Sequence, residues 1–136
     1  MQFDGRQGPW LILAHGAGAP MDSEPMDRLV SALNDAGIGA VRFEFDYMAQ
    51  RRTGGSKRPP PGQNRLLSEW QSVIERVDQQ LEGEPLFIGG KSLGGRMASL
   101  LLADGEAHSA RVIGGLAFGY PFHPPGNLQR WRTAHF

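Results

Sequence analysis

Four short apolar segments alternate along the chain with stretches whose apolar residues recur at helical spacing. The apolar segments read WLILA from Trp10, AVRFEF from Ala40, PLFI from Pro85 and RVIGGLAF from Arg111. The clearest helical stretch places apolar side chains on one face from Leu66 to Leu81. Strands that alternate with helices are typical of a parallel sheet covered on both faces. The sequence therefore predicts an α/β fold, a three-layer α/β/α sandwich on a minimal parallel sheet of four strands, in the spatial order second, first, third, fourth.

Two of these elements carry finer expectations. The second strand, Ala40 to Phe45, alternates apolar residues with Arg42 and Glu44, which predicts a partly polar strand near the edge of the sheet. The first helix should begin after Asp22 or Ser23 and end at Gly37. The stretch from residue 46 to residue 63 is rich in glycine, proline and basic residues, and we expect a loop there.

Composition limits the classes of protein to consider. The chain has 136 residues, 40% of them hydrophobic, which suits a single domain over residues 1–136. Its 14 basic and 14 acidic residues balance, which argues against a nucleic-acid partner and gives no reason to expect a membrane partner. There is no cysteine, so thiolate metal sites and disulfides are excluded. The start of the chain lacks the long apolar run of a signal peptide or membrane span, and a cytoplasmic location fits.

A glycine-rich turn follows the third predicted strand and contains the pattern G-x-S-x-G, formed by Gly90, Ser92 and Gly94. In enzymes with a serine nucleophile this pattern makes a sharp strand-to-helix turn that exposes the serine at the carboxyl edge of the sheet. The correct flanking elements favour that interpretation over a merely structural glycine turn. The spacing therefore predicts Ser92 as a nucleophile.

A nucleophilic serine also needs backbone donors for the oxyanion of its tetrahedral intermediate. The N–H of Leu93 would be one donor, because it opens the helix that follows the serine. The second donor should come from the glycine-rich loop HGAGA after the first strand, through Gly16 or Ala17. These amides are the predicted oxyanion hole.

Both glycine-rich loops also resemble parts of nucleotide-binding motifs, but their spacing fails. A phosphate loop ending at Ser92 would need glycine at position 85, which is Pro85. A dinucleotide fingerprint starting at Gly16 would need a third glycine at Met21. No pair of histidines has the spacing of metal ligands. The sequence therefore predicts no cofactor and no metal.

Ser92 also needs a base, and two histidines follow predicted strands. We expect His15 to brace the oxyanion loop, with a role as substitute base as the alternative. His123 could be a substitute base or contact the substrate, and a structural role is its alternative. Asp46 follows the second strand, as a third catalytic residue or as a cap of the next segment. The basic loop over residues 51–58 is either solvated or attracts an anionic substrate.

Five segments, in this order, resemble a small family of α/β-hydrolases: LAHGAGAPMDS, RFEFDYMAQRR, the proline stretch before the long helix, GGKSLGGRMAS and GYPFHPPG. This branch is distantly similar to the dienelactone hydrolases and includes the hydrolase-like domain of the third subunit of the non-specific lethal chromatin complex. The resemblance extends from about Trp10 to His135. It implies a serine-hydrolase fold with Ser92 as nucleophile, acting on a small-molecule ester or acyl substrate.

The chain ends at Phe136, before the positions where that family carries its catalytic aspartate and histidine. The resemblance therefore implies either a chain shortened at its C-terminal end or an enzyme without a conventional triad. We expect a serine esterase or acyl hydrolase. The alternative is a catalytically incomplete hydrolase-like module for binding or assembly. In such a module the fourth strand would be an open sheet edge, which predicts a homodimer.

Overall fold

The computed structural model describes residues 1–5, 7–105 and 111–136 and shows one sheet between two layers of helices. The strands are β1 (Gln2–Asp4), β2 (Trp10–Ala14), β3 (Gly39–Phe43), β4 (Leu86–Lys91) and β5 (Val112–Phe118). The helices are α1 (Glu24–Asp35), α2 (Asp46–Ala49), α3 (Gln63–Gln80) and α4 (Leu93–Ala103), with a 3-10 turn at Gln50–Thr53 after α2.

The strands lie in the order β1-β3-β2-β4-β5. Strands β3, β2, β4 and β5 pair in parallel, so the predicted order of the four apolar segments is confirmed. Because these four strands run in one direction, the turns that follow them meet at one edge of the sheet. That edge brings together the loop after β2 and the turn after β4.

The second apolar segment does lie near the sheet edge, because β3 is the second strand from it, but all five residues of β3 are buried and the sheet is mixed. β1 pairs antiparallel with β3 and covers it. Arg42, the residue that suggested an edge, is buried because its guanidinium donates to Asp4 on β1 and to Asp27 on α1. The sequence does not predict β1, because its three residues, QFD, form no apolar run.

Alternate side chains of the strands pack into two separate hydrophobic cores, one on each face of the sheet, which confirms the three-layer sandwich. On one face, Ile12 and Ile88 pack with Trp70 of α3 and Met97 of α4. On the other face, a second set of buried residues lies against α1, namely Leu11, Leu13, Met26, Val30 and Ala40. None of the helices in the described part of the chain is long and apolar enough to cross a membrane.

The first helix matches its sequence signals, while the segment after β3 does not match the predicted loop. α1 begins after Ser23, and Gly37 follows its end with φ +78°. After β3 the chain forms α2 and the 3-10 turn, because Phe45, Tyr47 and Met48 are buried in the core. Burial of these three side chains overrides the loop signals of the glycine-rich and proline-rich residues around them.

Candidate functional site

Ser92 lies in the turn between β4 and α4, at the carboxyl edge of the sheet. Its backbone has φ +49° and ψ −112°, and among the described residues it is the sole non-glycine residue with a positive φ. Its N–H donates to the carbonyl of Phe118 on β5 over 2.9 Å. Its own carbonyl accepts from the N–H of Arg96, one turn into α4, over 3.0 Å. The neighbouring strand and the following helix therefore hold the serine in this conformation.

The glycines of the turn allow α4 to lie unusually close to β2. A Cβ atom at Gly94 would lie 2.6 Å from the carbonyl oxygen of His15 and 2.7 Å from the Cβ of Ala14. A Cβ atom at Gly90 would lie 2.6 Å from the carbonyl oxygen of Ala14. Any larger residue at either position would push the helix away from the strand. The G-x-S-x-G spacing thus has a direct structural cause here.

The glycine-rich loop after β2 lies beside Ser92. A Cβ atom placed on Gly16 would be 3.7 Å from the Cβ of Ser92, which is ordinary contact distance. Leu93 opens α4, so its N–H has no acceptor within the helix. Across residues 1–5, 7–105 and 111–136, the backbone N–H groups of Leu93, Gly16 and Ala17 donate to no protein acceptor. The N–H of Leu93 is therefore next to the serine along the chain, and the loop that carries Gly16 and Ala17 reaches it at Gly16.

His15 is buried, and both of its ring nitrogens bind backbone groups. Nε2 accepts from the N–H of Phe45 over 3.1 Å, so Nδ1 carries the proton and donates to the carbonyl of Gly16 over 2.6 Å. Burial lowers the pKa of His15 below its ordinary value, because a charged imidazole would lose its hydration. The ring is therefore a neutral link between the loop after β2 and the end of β3.

Tyr47 holds the next carbonyl of the same loop. Its hydroxyl donates to the carbonyl of Ala17 over 3.0 Å. Burial raises the pKa of Tyr47 to about 12, so the hydroxyl keeps its proton at neutral pH. No sequence motif identifies Tyr47 as a site residue. Its only sequence signal is its place directly after the second apolar segment, at the carboxyl edge of the sheet.

The basic loop contributes an ion-pair network on the same side. Arg52 donates to the carboxylates of Glu44 and Asp22, at 2.9 Å and 2.7 Å. Glu44 in turn accepts from the N–H of Met21 over 3.3 Å. Arg52 therefore joins the loop after β2 to the end of β3. Its charge is matched by these carboxylates, so it does not serve as a free anion receptor.

The other polar residues singled out from the sequence lie in less enclosed places. His123 follows β5, where its Nδ1 is 3.4 Å from the carbonyl oxygen of Arg130 and its ring packs edge-on against Trp131. Asp46 begins α2, and its exposed carboxylate lies 3.4 Å from Arg65.

Ser92 itself has no side-chain partner in this part of the molecule. Within the described ranges, its hydroxyl makes no hydrogen bond to a histidine or a carboxylate. In the same ranges, no three histidine, aspartate or glutamate side chains converge as metal ligands would. The structure thus brings the loop after β2 and the amide of Leu93 to Ser92, and among the described residues no imidazole is hydrogen-bonded to its hydroxyl.

Solved structures share this architecture. A monoacylglycerol lipase from Paleococcus ferrophilus matches with a TM-score of 0.60 and 23% identity, over 91% of this chain and 46% of the lipase. An α/β serine hydrolase homologue from Coxiella burnetii matches with a TM-score of 0.60 and 20% identity, over 79% of this chain and 49% of the homologue. A cold-adapted esterase from an Arctic intertidal metagenomic library matches with a TM-score of 0.57 and 16% identity, over 82% and 49%. The chain thus spans about half the length of these three proteins.

A search of curated protein sequences finds no match. The family model for the alpha/beta hydrolase domain matches residues 7–136, which is nearly the whole chain. That match agrees with the parallel order of the strands, the glycine-dependent turn at Ser92 and the helices on both faces of the sheet. The chain belongs to the α/β-hydrolase family.

Proposed function

We propose that the chain is a serine hydrolase of the esterase or acyl-hydrolase type, with Ser92 as its nucleophile. The observation that carries this proposal is the backbone of Ser92, with a positive φ in a residue other than glycine. Such conformations cost free energy and concentrate at functional sites, where the surrounding structure enforces them. A turn whose only purpose was to join β4 to α4 would favour glycine at this position.

The oxyanion would be held by the N–H groups of Leu93 and Ala17. Leu93 has the free N–H at the positive end of α4. A peptide group is planar and trans, so the N–H of Ala17 points away from the carbonyl of Gly16. Because His15 binds that carbonyl over 2.6 Å, it also fixes the direction of the Ala17 N–H. This favours Ala17 over Gly16 as the second donor and makes His15 a positioning residue.

The chemical step needs a proton acceptor. Attack of the Ser92 hydroxyl oxygen on a carbonyl carbon forms the tetrahedral oxyanion while the hydroxyl proton passes to a base. His15 is unsuited to this role, since both its ring nitrogens are engaged. His123 is the candidate we retain as substitute base or substrate contact, because among the described residues its ring nitrogens make one hydrogen-bond contact, which is long at 3.4 Å.

A fluorophosphonate probe tests the proposal directly. We expect covalent labelling that mass spectrometry maps to Ser92, together with turnover of short p-nitrophenyl esters. Ser92→Ala should abolish both. His123→Gln is the second variant: if His123 is the base, labelling slows by about 10²-fold or more. Absence of labelling and of turnover in the folded wild-type chain would exclude a catalytic role for Ser92.

Two finer assignments belong to the same proposal. The motifs GGKSLGGRMAS and GYPFHPPG support a place in the dienelactone-hydrolase-like branch that includes the domain of the chromatin complex. A cytoplasmic location stays a prediction from the sequence.

The second candidate function is a module for assembly with a second copy of this chain. β5 supports it: within the described residues, the outer edge of β5 has no strand partner. Ile113 and Leu116 are 63% and 42% exposed on this strand. The strand also lacks the lysine or proline that commonly protects a sheet edge from pairing.

A further inference from the structure

Three arginines line a cavity of about 440 Å³ against the first turns of α4, the helix that follows Ser92. Arg96 comes from the first turns of α4, while Arg130 and Arg132 come from the segment after β5. Trp131 also lines the cavity, as does Gln63, the first residue of α3. We call this space the arginine cavity.

The three guanidinium groups have no carboxylate partner. Elsewhere in the described chain, five arginines pair with aspartate or glutamate, namely Arg28, Arg42, Arg52, Arg65 and Arg111, while Arg51, Arg58 and Arg76 form no such pair. In the same described residues, no such pair includes Arg96, Arg130 or Arg132. A soluble ligand with negative charge would supply the missing partner.

Of the three arginines, Arg96 is the one with a buried N–H group that has no hydrogen-bond acceptor among the described residues. Its Nη2 donates to Gln63 over 3.2 Å, while its buried Nε has no hydrogen-bond acceptor. Burial and the positive charges of Arg132 and Arg130 lower the pKa of Arg96 below its ordinary value. The hydrogen bond of Arg132 is also neutral and long, at 3.4 Å to the carbonyl of His123. An unsatisfied buried donor beside like charges is costly unless an anion binds there.

The arginine cavity lies within reach of the serine. Arg96 is four residues after Ser92, which corresponds to about 6 Å along a helix axis. Side chains on a helix lean towards its N-terminus, so Arg96 leans towards the end of α4 that carries Ser92. Gln63 begins α3 at the same edge of the sheet. A short ligand could therefore reach both the guanidinium groups and the hydroxyl.

We infer that the arginine cavity binds the anionic end, a carboxylate or phosphate, of a small acyl substrate whose ester lies at Ser92. The placement of the ester at Ser92 rests on the proposed hydrolase function, whereas the anion site does not depend on that function. Arginine suits this role because its planar group binds carboxylate and phosphate oxygens in pairs.

Titration calorimetry with the folded 136-residue chain tests the site without requiring catalysis. The probes are glutarate, inorganic phosphate and the neutral dimethyl glutarate. We expect at least one anion to bind and dimethyl glutarate not to, and the tighter of the two anions identifies the favoured group. Binding should weaken as salt is added, because the interaction is between charges. Binding of neither anion, or equal binding of dimethyl glutarate, would overturn the inference.

Variants locate the binding. Arg96→Gln and Arg132→Gln should each weaken anion binding by about tenfold or more, as expected for loss of a charged hydrogen bond. Arg28→Gln, on the exposed face of α1, is the matched control and should leave binding unchanged. An equal loss in all three variants would contradict the assignment. Ser92→Ala should keep anion binding, so a wild-type chain that binds glutarate but resists the fluorophosphonate would retain the anion site and lose the hydrolase proposal.

Discussion

Ser92 combines an L side chain with a backbone conformation that glycine adopts more easily. Its φ of +49° is held by the hydrogen bond to Phe118 and by the start of α4. A non-glycine residue in such a sparsely populated conformation costs roughly 1–3 kcal/mol. The free energy of unfolding is therefore lower than the packing of this turn alone would give.

Replacing Ser92 by glycine should release that strain. We expect Ser92→Gly to be about 1 kcal/mol more stable than Ser92→Ala, after allowing about 0.5–1 kcal/mol for the greater freedom of glycine in the unfolded chain. Ser92→Ala is the matched control because it removes the hydroxyl and keeps the Cβ atom. Urea denaturation measures both free energies of unfolding. A Ser92→Gly variant less stable than Ser92→Ala by about 0.5–1 kcal/mol would show that the turn is not strained.

For single residues, the sequence predicts the role of those that act on residues close to them along the chain. Gly90 and Gly94 are identifiable from spacing, because the turn between a strand and a helix is a local motif. Tyr47 and Arg96 were not identified. Tyr47 acts on Ala17, 30 residues away, and the charges near Arg96 come from residue 130 onwards. Such contacts depend on how separate segments pack, which no local pattern encodes.

Among the elements, β1 is held by its backbone pairing with β3 and by an ion-pair network at Arg42. Arg42 on β3 donates to Asp4 on β1 over 2.9 Å and also pairs with Asp27 on α1. Burial alone would raise the pKa of Asp4, but the hydrogen bonds from Arg42 and Gln2 outweigh it and leave the pKa below its ordinary value. From the sequence, Arg42 indicated only a partly polar strand near the edge of the sheet. Its partner strand has only three residues and gave no signal of its own.

Removing Arg42 should loosen β1 and part of α1. We expect Arg42→Met to cost about 3 kcal/mol of unfolding free energy at neutral pH, since it leaves the largely buried Asp4 without its cation. Arg28→Gln is the control, because it breaks an exposed pair on α1 worth about 0.3–0.5 kcal/mol. Chemical denaturation gives both values.

The pH dependence provides a second check on the same pair. A carboxylate with a lowered folded pKa stabilises the fold above its unfolded pKa, and this stabilisation is lost as the pH falls through the folded value. The gap between wild type and Arg42→Met should therefore be largest above about pH 5 and narrow towards about pH 3.5. A gap that stayed constant over this range would show that Asp4 is not the group involved.

On the scale of the whole molecule, the sheet ends in the three-residue β1 at one edge and the seven-residue β5 at the other, and no described strand pairs with the outer side of either. β1 covers β3, and its Asp4 is engaged by Arg42. At the far edge, β5 carries exposed apolar side chains and no charged residue. The sequence predicted an open edge at this strand for the alternative in which the chain is an incomplete hydrolase-like module. The sequence did not predict the difference between the two edge strands, because nothing in it indicated β1.

A second copy of the chain is the partner we propose for this open edge, since two β5 strands related by a two-fold axis can pair antiparallel. Sedimentation equilibrium at about 100 μM should then show a dimer, and Ile113→Lys should weaken it by about tenfold or more by placing like charges at the junction. Ile113 is 63% exposed, so the lysine should leave the monomer folded. Leu128→Lys is the control, because Leu128 is 75% exposed but lies outside the sheet. A wild-type chain that is strictly monomeric at this concentration would remove the assembly proposal and leave the hydrolase proposal untouched, because Ser92 and its amide donors all lie within one copy.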